Sequence, residues 1–337
     1  MRIGIHHNEG SFSDRWIQYS KENNIDFKIV NCYDSDIIMQ LKDCDAFMWH
    51  HNHGNLKDLL SAKPILFALE HAGVKVFPDF KTAWHFDDKV AQKYLLEAID
   101  APLVPSYVFY DKKEALKWAE QTTYPKVFKL KGGAGSANVK LVRTKAQCLQ
   151  LIKKAFGKGF KQFDGKAYFI DTINKYKSST KSFYQVIKAF GRMLISTEYS
   201  KKSGREKGYV YFQEFIPNND SDIRIIVVDN KAFGLKRMVR KDDFRASGSG
   251  TINYSVTEID IRCVEIAYQV NKSIQSQSIA FDFIFDPNDK PLIVEISYAY
   301  STLAYDKCEG YWTEDLKFHK QQFTPQNWML EDLIKNV

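Results

Sequence analysis

The first eighty residues alternate between two hydrophobic periods. Short apolar runs over residues 1–6, 27–30, 46–49 and 74–77 predict β-strands, and amphipathic stretches over 11–22, 37–41 and 56–72 predict helices between them. Pro64 predicts a break in the third helix, and Gly73 stands where a helix-terminating glycine belongs. Strand and helix in alternation predict a parallel α/β sheet. A helix over 87–99 and the proline-marked linker "DAPLVPSYVFY" lead into a small α+β unit, with helices over 112–121 and 145–156 and strands over 126–130 and 139–142. Beyond residue 165 strands dominate, over 209–215, 223–228 and 231–239, and a helix over 257–275 precedes a hairpin. The tail, 301–337, is rich in aromatics and lacks clear periodicity.

The hairpin raises a chemical question. Its strands, 279–286 and 291–297, flank Pro287-Asn288-Asp289-Lys290, which has turn chemistry. With those four residues as the loop, Asp282 faces Glu295 and Ala280 faces Ser297 on one side of the sheet. Phe281, Phe283, Phe285, Leu292, Val294 and Ile296 take the other side. Like charges directly opposite destabilise a sheet, and a hard cation such as magnesium between oxygen ligands removes the conflict. On that reading, loss of one acid leaves the metal-free protein at least as stable. A half-exposed hairpin with both acids in solvent satisfies the same pattern.

Composition narrows the classes. The 337 residues, 44% hydrophobic, suffice for one large or several small cores. No apolar run approaches the roughly 18 residues of a membrane span, and "MRIGIHHNEG" is too short and polar for a signal peptide. Cys32, Cys44, Cys148, Cys263 and Cys308 show no paired spacing, which fits a reducing cytoplasm better than a disulfide framework or a zinc site. The net charge of +7 is spread along the chain, which favours small phosphate ligands over nucleic acid; neither nucleic acid nor membrane is expected as a partner.

Two segments carry phosphate chemistry. In "KLKGGAGSANV", 129–139, the small residues Gly132, Gly133, Gly135 and Ser136 let backbone N–H groups approach phosphate oxygens, and Lys129 adds a cation. A strand follows, so this is no P-loop, and a plain hairpin loop has the same composition. Downstream, Gln213-Glu214-Phe215-Ile216 runs into a proline-marked turn. Asp222 and Arg224 share one strand face, and Arg237, Arg240 and Arg245 follow. Guanidinium forks suit phosphate or carboxylate, although a solvated basic edge explains any one of these arginines.

Taken in order, Lys89 in "FDDKVAQKYLL", Lys129 before the glycines, "QEFI…DIR", "DFRAS", Asp282 and "VEIS" resemble the ATP-grasp superfamily. The likeness is greatest to ribosomal-protein-modifying glutamate ligases and glutathione synthetases and covers about residues 80–300. It implies a mixed α/β and α+β architecture: a pre-ATP-grasp parallel α/β domain (1–80), a linker helix (81–105), a lid subdomain with an insertion (106–212) and a C-terminal antiparallel sheet with the aromatic tail (213–337). It further implies ATP and Mg2+ as cofactors. Lys89 and Lys129, with Gly132, Gly133 and Ser136, then meet phosphate. Gln213, Glu214, Phe215 and Ile216 form the adenine hinge, and Asp222 accepts from ribose. Arg224, Arg237 and Arg245 surround the transferred phosphoryl group, while Asp282, Glu295 and Ser297 hold metal. Ser297 and Ser247 stand where the family usually has asparagines, and the proline-glycine that usually follows the metal motif is absent.

The implied reaction joins a carboxylate (of an amino acid, peptide or sugar acid) to an amine or thiol through an acyl phosphate, releasing ADP and phosphate. An ATP-grasp phosphotransferase acting on a small molecule or sugar, and a nucleotide-binding regulator without turnover, are the alternatives. The tail resembles those of uncharacterised ATP-grasp proteins encoded in bacterial surface-polysaccharide gene clusters. Loops 6–10 and 50–55 follow parallel strands, where ligand crevices form, so His7 and His51 are candidate substrate contacts. Their spacing is not that of a zinc site. A homodimer is compatible with all of this.

Overall fold

The computed structural model describes residues 1–132, 138–161, 169, 172–173, 183–194, 204–239, 244–246 and 251–335. Gly133, Gly135, Ser136, Arg240 and Ser247 lie outside the described residues. Strands β1 (Arg2–His6), β2 (Asp26–Val30), β3 (Ala46–Trp49) and β4 (Lys75–Phe77) form the expected parallel sheet, in the order β2-β1-β3-β4. The helices between them are α1 (Phe12–Glu22), α2 (Ile37–Gln40) and α3 (Leu56–His71). Ser11 caps α1 and Asn55 caps α3, each accepting an N–H that the first turn leaves unpaired. The break expected at Pro64 does not occur: α3 runs through it. A proline there removes one backbone hydrogen bond, but Ala62, Leu66 and Leu69 bury one face of the helix against Phe47, Trp49 and Val76, and that packing prevails. Gly73 follows at φ +89°.

The linker carries α4 (Phe80–Ala83) and α5 (Lys89–Ala98). The next unit contains β5 (Ser106–Phe109), α6 (Lys112–Gln121), β6 (Lys126–Lys129), β7 (Lys140–Val142) and α7 (Lys145–Ala155). Then come β8 (Phe160–Lys161), α8 (Phe183–Leu194), β9 (Arg205–Glu206) and β10 (Val210–Glu214). β10 returns to pair antiparallel with both β5 and β6, giving the order β5-β10-β6-β7. The expected domain boundary at 212/213 falls inside this strand.

The largest sheet holds β11 (Ser221–Val228), β12 (Lys231–Met238), β13 (Ile252–Asn253), β14 (Ser278–Phe285), β15 (Pro291–Ser297), β16 (Tyr311–Thr313) and β17 (Phe318–His319). Its order is β15-β14-β11-β12-β16-β17, with β13 beside β12. Helix α9 (Ile261–Ile274) covers one face, packing Cys263, Val264 and Ala267 on Phe281, Phe283 and Ile293. No helix among the described residues is long and apolar enough to cross a membrane.

The tail departs from the aperiodic segment expected. It supplies β16, β17 and a helix, α10 (Pro325–Lys335). Trp328, Met329, Leu330 and Leu333 of α10 share one core with Ile3, Ile5 and Trp16 of the first sheet region and with Ile226, Phe233 and Leu235 of the third sheet. A helix buried on more than one side carries no single apolar stripe, which is why its period was not legible. Leu330 is fully buried, so Leu330→Ala is expected to cost about 2–5 kcal/mol in equilibrium urea unfolding. A loss below about 1 kcal/mol would mean the helix is not part of this core.

Candidate active site

A cavity of about 570 Å³ lies where the linker and the three larger sheets meet. Lys89 reaches it from α5, Lys129 from β6, Gln213 and Glu214 from β10, Asp222 and Arg224 from β11, Asp282 from β14, and Glu295 and Ser297 from β15. Phe215, Ile216, Arg245 and His51 line it as well. Arg237 stands beside it, bonded to Asp222 and Asp282, which do line it. Gly132 and His7 are not among the lining residues. A Cβ at Gly132 would sit 3.2 Å from Asp87 Oδ2. The His7 ring turns to Ser13 Oγ at 3.0 Å, with Asp14 Oδ1 at 3.6 Å.

The hairpin places its acids by an irregularity the sequence did not reveal. Asp282 pairs with Glu295 and Ala280 with Ser297, as expected. Beyond Asp282 the register shifts by one: Phe283 faces Ile293, Ile284 faces Leu292, and Phe285 faces Pro291. Val294 is the extra residue of a β-bulge, and the alternation of side chains reverses there. Ile293 therefore enters the core in place of Leu292 and Val294, and Val294 lines the cavity next to Glu295.

The facing acids are not left in repulsion, which corrects the reading of the hairpin taken alone. Arg224 on β11 sits directly opposite Asp282 in the pairing with β14. Its Nε donates to Asp282 Oδ1 at 2.5 Å and its Nη2 to Oδ2 at 2.7 Å. Arg237, opposite Asp222, grips that carboxylate at 2.6 and 2.5 Å and lies 3.0 Å from Asp282 Oδ2. Glu295 Oε1 is 3.2 Å from Lys89 Nζ. Burial alone would push the Asp282 carboxyl up, but Arg224 and Arg237 hold it well below the usual carboxylate range. Burial opposes charge on Lys89 too, and Glu295 with Asp87 outweighs it, so that lysine is raised.

Among the described residues Lys129 has no such counter-ion contact. Its Nζ donates to Gln213 Oε1 at 2.6 Å. Burial lowers its pKa to about 8, partly offset by Glu295 and reinforced by Lys89. The Gln213 amide also donates to Ser106 Oγ at 3.1 Å and to the carbonyl of the bulged Val294 at 3.3 Å, so one side chain ties the lysine, β5 and β15 together. Glu214 accepts from Lys126 at 2.9 Å and from Tyr107 at 3.0 Å, and its N–H donates to Pro105 O. The Ser297 hydroxyl donates to Ala299 O at 2.9 Å.

The wall nearest the first sheet includes His50, His51 and Tyr300, and residues that sequence reasoning passed over hold it in place. Tyr298 and Tyr300 follow β15, and the Tyr298 hydroxyl donates to His51 O at 2.9 Å. The only signal was the alternation in "SYAY". Asp58 is buried, accepts the Asn52 N–H at 2.6 Å and bonds the Tyr33 hydroxyl, which holds the histidine loop in place. His50 stacks on Phe12 with centroids 3.7 Å apart. Burial lowers the pKa of both His50 and His51 to about 3, so both rings are neutral.

Comparison with known proteins places this geometry. A family model described as the RimK-like ATP-grasp domain matches residues 143–311, half of the chain. The chain belongs to the ATP-grasp superfamily. The model of the carbamoyl-phosphate synthase L chain ATP-binding domain matches residues 88–188. The alpha-aminoadipate–LysW ligase LysX of Saccharolobus solfataricus is 21% identical over 277 residues, covering 80% of this chain and 82% of the relative. The fold is shared with D-cycloserine synthetase DcsG (TM-score 0.60, 10% identity, all of both chains). It is shared also with a RimK-domain ATP-grasp protein of Sphaerobacter thermophilus (0.55, 13%, 99% of this chain and 100% of that one). A third similar structure is the biotin carboxylase domain of Hydrogenobacter thermophilus 2-oxoglutarate carboxylase, solved with MgADP (0.57, 14%, 97% and 68%). As an ATP-grasp protein the chain is an ATP-dependent ligase, and in the biotin carboxylase structure Mg2+ accompanies the nucleotide.

The donor set fits such an ion in kind, since Asp282, Glu295 and Ser297 offer only oxygen. Among the described residues no three His, Cys, Asp or Glu converge on one metal position, and cationic side chains contact both acids. This reverses the expected effect of removing one acid. Glu295→Gln removes the larger of the acidic contributions that balance the buried Lys89 ammonium, with Asp87 remaining. Because Glu295 is 32% exposed, the loss is expected to be about 1–3 kcal/mol, between surface and buried pairs. Urea unfolding without magnesium measures it, and a mutant as stable as wild type would rule out the pair as a structural contact.

Proposed function

We propose that this ligase joins a carboxylate to an amine through an acyl phosphate. The observation that carries the reading is the convergence of Lys89, Lys129, Arg224 and Arg245 from separate elements on a cavity that also presents Asp282 and Glu295. A carboxylate has no leaving group, and phosphorylation provides one. The carboxylate oxygen attacks the γ-phosphorus and ADP departs. The amine nitrogen then attacks the acyl carbon, and phosphate leaves with the electron pair of the broken C–O bond. No cysteine lines the cavity, and the sequence of steps needs no protein nucleophile. Positioning and charge stabilisation are the protein's contribution.

In this reading Lys89 and Lys129 bind phosphate oxygens together with Gly132, Gly133 and Ser136. The segment Gln213 to Ile216 meets adenine, and Asp222 meets ribose. Arg224, Arg237 and Arg245 neutralise the transferred phosphoryl group. Mg2+ bound with the nucleotide would be held by Asp282 and Glu295, with Ser297 beside them, and supplies positive charge to the phosphate oxygens. The name of the LysX relative couples an amino acid to LysW, which supports an amino acid as one of the two substrates to try first. ADP and phosphate release should require a carboxylate and an amine together. Phosphate retained on a hydroxyl product would establish the phosphotransferase alternative.

The Lys129 environment predicts a pH dependence. The free protein holds this lysine near pKa 8, below the ordinary 10.5. Its burial penalty is present in full below pH 8 and is relieved as pH rises towards 10.5. Nucleotide phosphate favours the charged form, so binding takes up a proton across that window. Nucleotide affinity should therefore weaken above about pH 8, and calorimetry in buffers of different ionisation enthalpy should report the uptake. Lys129→Arg should abolish both effects; their persistence would assign the proton to another group.

A further inference from the structure

Lysines and arginines run along the whole chain, but the acids do not. Residues 121–207 hold 20 basic residues and 4 acidic ones, whereas the rest of the chain holds 28 and 37. The net charge of +7 is therefore the difference between a strongly basic unit, from β6 to β9, and an acidic remainder, which corrects the even spread read from the sequence. Lys158, Lys161, Lys188, Arg205 and Lys207 of this unit are exposed. Lys161 stands directly opposite Arg205 where β8 pairs with β9, and the Arg205 guanidinium donates to the carbonyls of Lys158 and Gly159. Like charges directly opposite weaken a strand pair, and an anionic partner relieves the conflict.

Between β8 and β9 the chain forms α8. Its Tyr184, Ile187 and Phe190 are 71%, 56% and 47% exposed. From the pitch of a helix, these three positions fall within about 120° of its circumference, and the exposed Lys188 borders Tyr184. Phe190 meets the Phe169 ring at 5.6 Å and still keeps this exposure. Single apolar residues on a surface are ordinary, but a stripe of them on one helix face marks a contact surface.

We propose that α8 lies flat on an anionic lipid bilayer, with Tyr184, Ile187 and Phe190 against the acyl chains and Lys188 and its basic neighbours at the lipid phosphates. The 12 residues of the helix are too few to span a bilayer, so the contact is peripheral and reversible. Lysine rather than arginine supplies 17 of the 20 bases in the unit. Protein interfaces deplete lysine and favour arginine, and base readout relies on guanidinium forks. A lipid phosphate accepts a point charge from any direction, and each lysine near such a surface contributes. The acidic remainder is repelled by the same surface, so the basic unit faces the bilayer and the rest of the ligase faces water. No residue of α8 lines the nucleotide cavity, which keeps bilayer contact and nucleotide binding separable.

Full-length protein is sedimented with vesicles of phosphatidylcholine alone, or of phosphatidylcholine and phosphatidylglycerol in equal amounts. All five native cysteines are buried, so Ile187→Cys accepts an environment-sensitive fluorophore at that one place. Binding to the mixed vesicles alone, its loss at high salt, and quenching of the fluorophore by nitroxides in the acyl chains are expected. Lys188→Gln should lower the partition coefficient about 5-fold, the value of one lysine near the surface. Ile187→Ser should lower it about 10-fold. Both side chains are exposed, and calorimetry should give wild-type nucleotide affinity for each variant, which shows that it is folded. No binding to the mixed vesicles, or binding without quenching, overturns the proposal. Unchanged partition in both variants overturns it too. A fluorophore response to polyglutamate or single-stranded DNA that exceeds the response to vesicles gives the face to an acidic macromolecule, and the bilayer proposal falls.

Discussion

Compensation of buried charge is the constraint on which the rest of the structure depends. Asp222, Arg237, Arg224 and Asp282 lie on three adjacent strands with little exposure, and Glu295 follows on a fourth. Taking any one of them out of water alone would cost several kcal/mol. Cross-strand register and the approach of α5 resolve this, since together they put each acid within 3.2 Å of a lysine or arginine. The network is a state of balance with oppositely charged groups in contact, and on the proposed reading a polyanionic nucleotide and a cation enter with partners to exchange. It also makes the acids structural before they are functional.

The three larger sheets are joined at points that coincide with this network. Lys89 begins α5, its backbone N–H bonds Lys131 O beside the glycine loop, and its ammonium reaches Glu295 on β15. Gln213 spans from the small sheet to the bulge on the large one while holding Lys129. The first sheet is fused to the third through the core that α10 completes. Movement of any one unit therefore changes the environment of a lysine or an acid in the cavity, and the cavity is as well defined as the packing around it. The β-bulge is the local device that makes this possible, turning Val294 towards the cavity while Ile293 stays in the core.

The two ends of the cavity are physically unlike. Where the arginines and lysines gather, charge is dense and paired. Where the first sheet contributes, the groups are neutral imidazoles and aromatic rings, held by Asp58 and Tyr298 through backbone contacts.

The sequence by itself determined the alternating α/β start, the strand-rich second half, the register of Asp282 with Glu295, and the ordered lysines, arginines and acids that mark the superfamily. These are local matters: period, turn chemistry and residue type suffice because each depends on neighbours within one or two elements. Tertiary structure decided the rest. The helix through Pro64 survives because distant side chains bury it. The tail helix hid its period because two sheets cover it. The bulge at Val294 arises where core packing and cavity both lay claim to one strand. The partners of the facing acids came from β11, β12 and α5, in one case more than two hundred residues away, and no spacing along the chain carries that information. His51 was legible as a loop histidine, but its burial, and with it its neutrality, exists only once Phe86 and Tyr298 close around it.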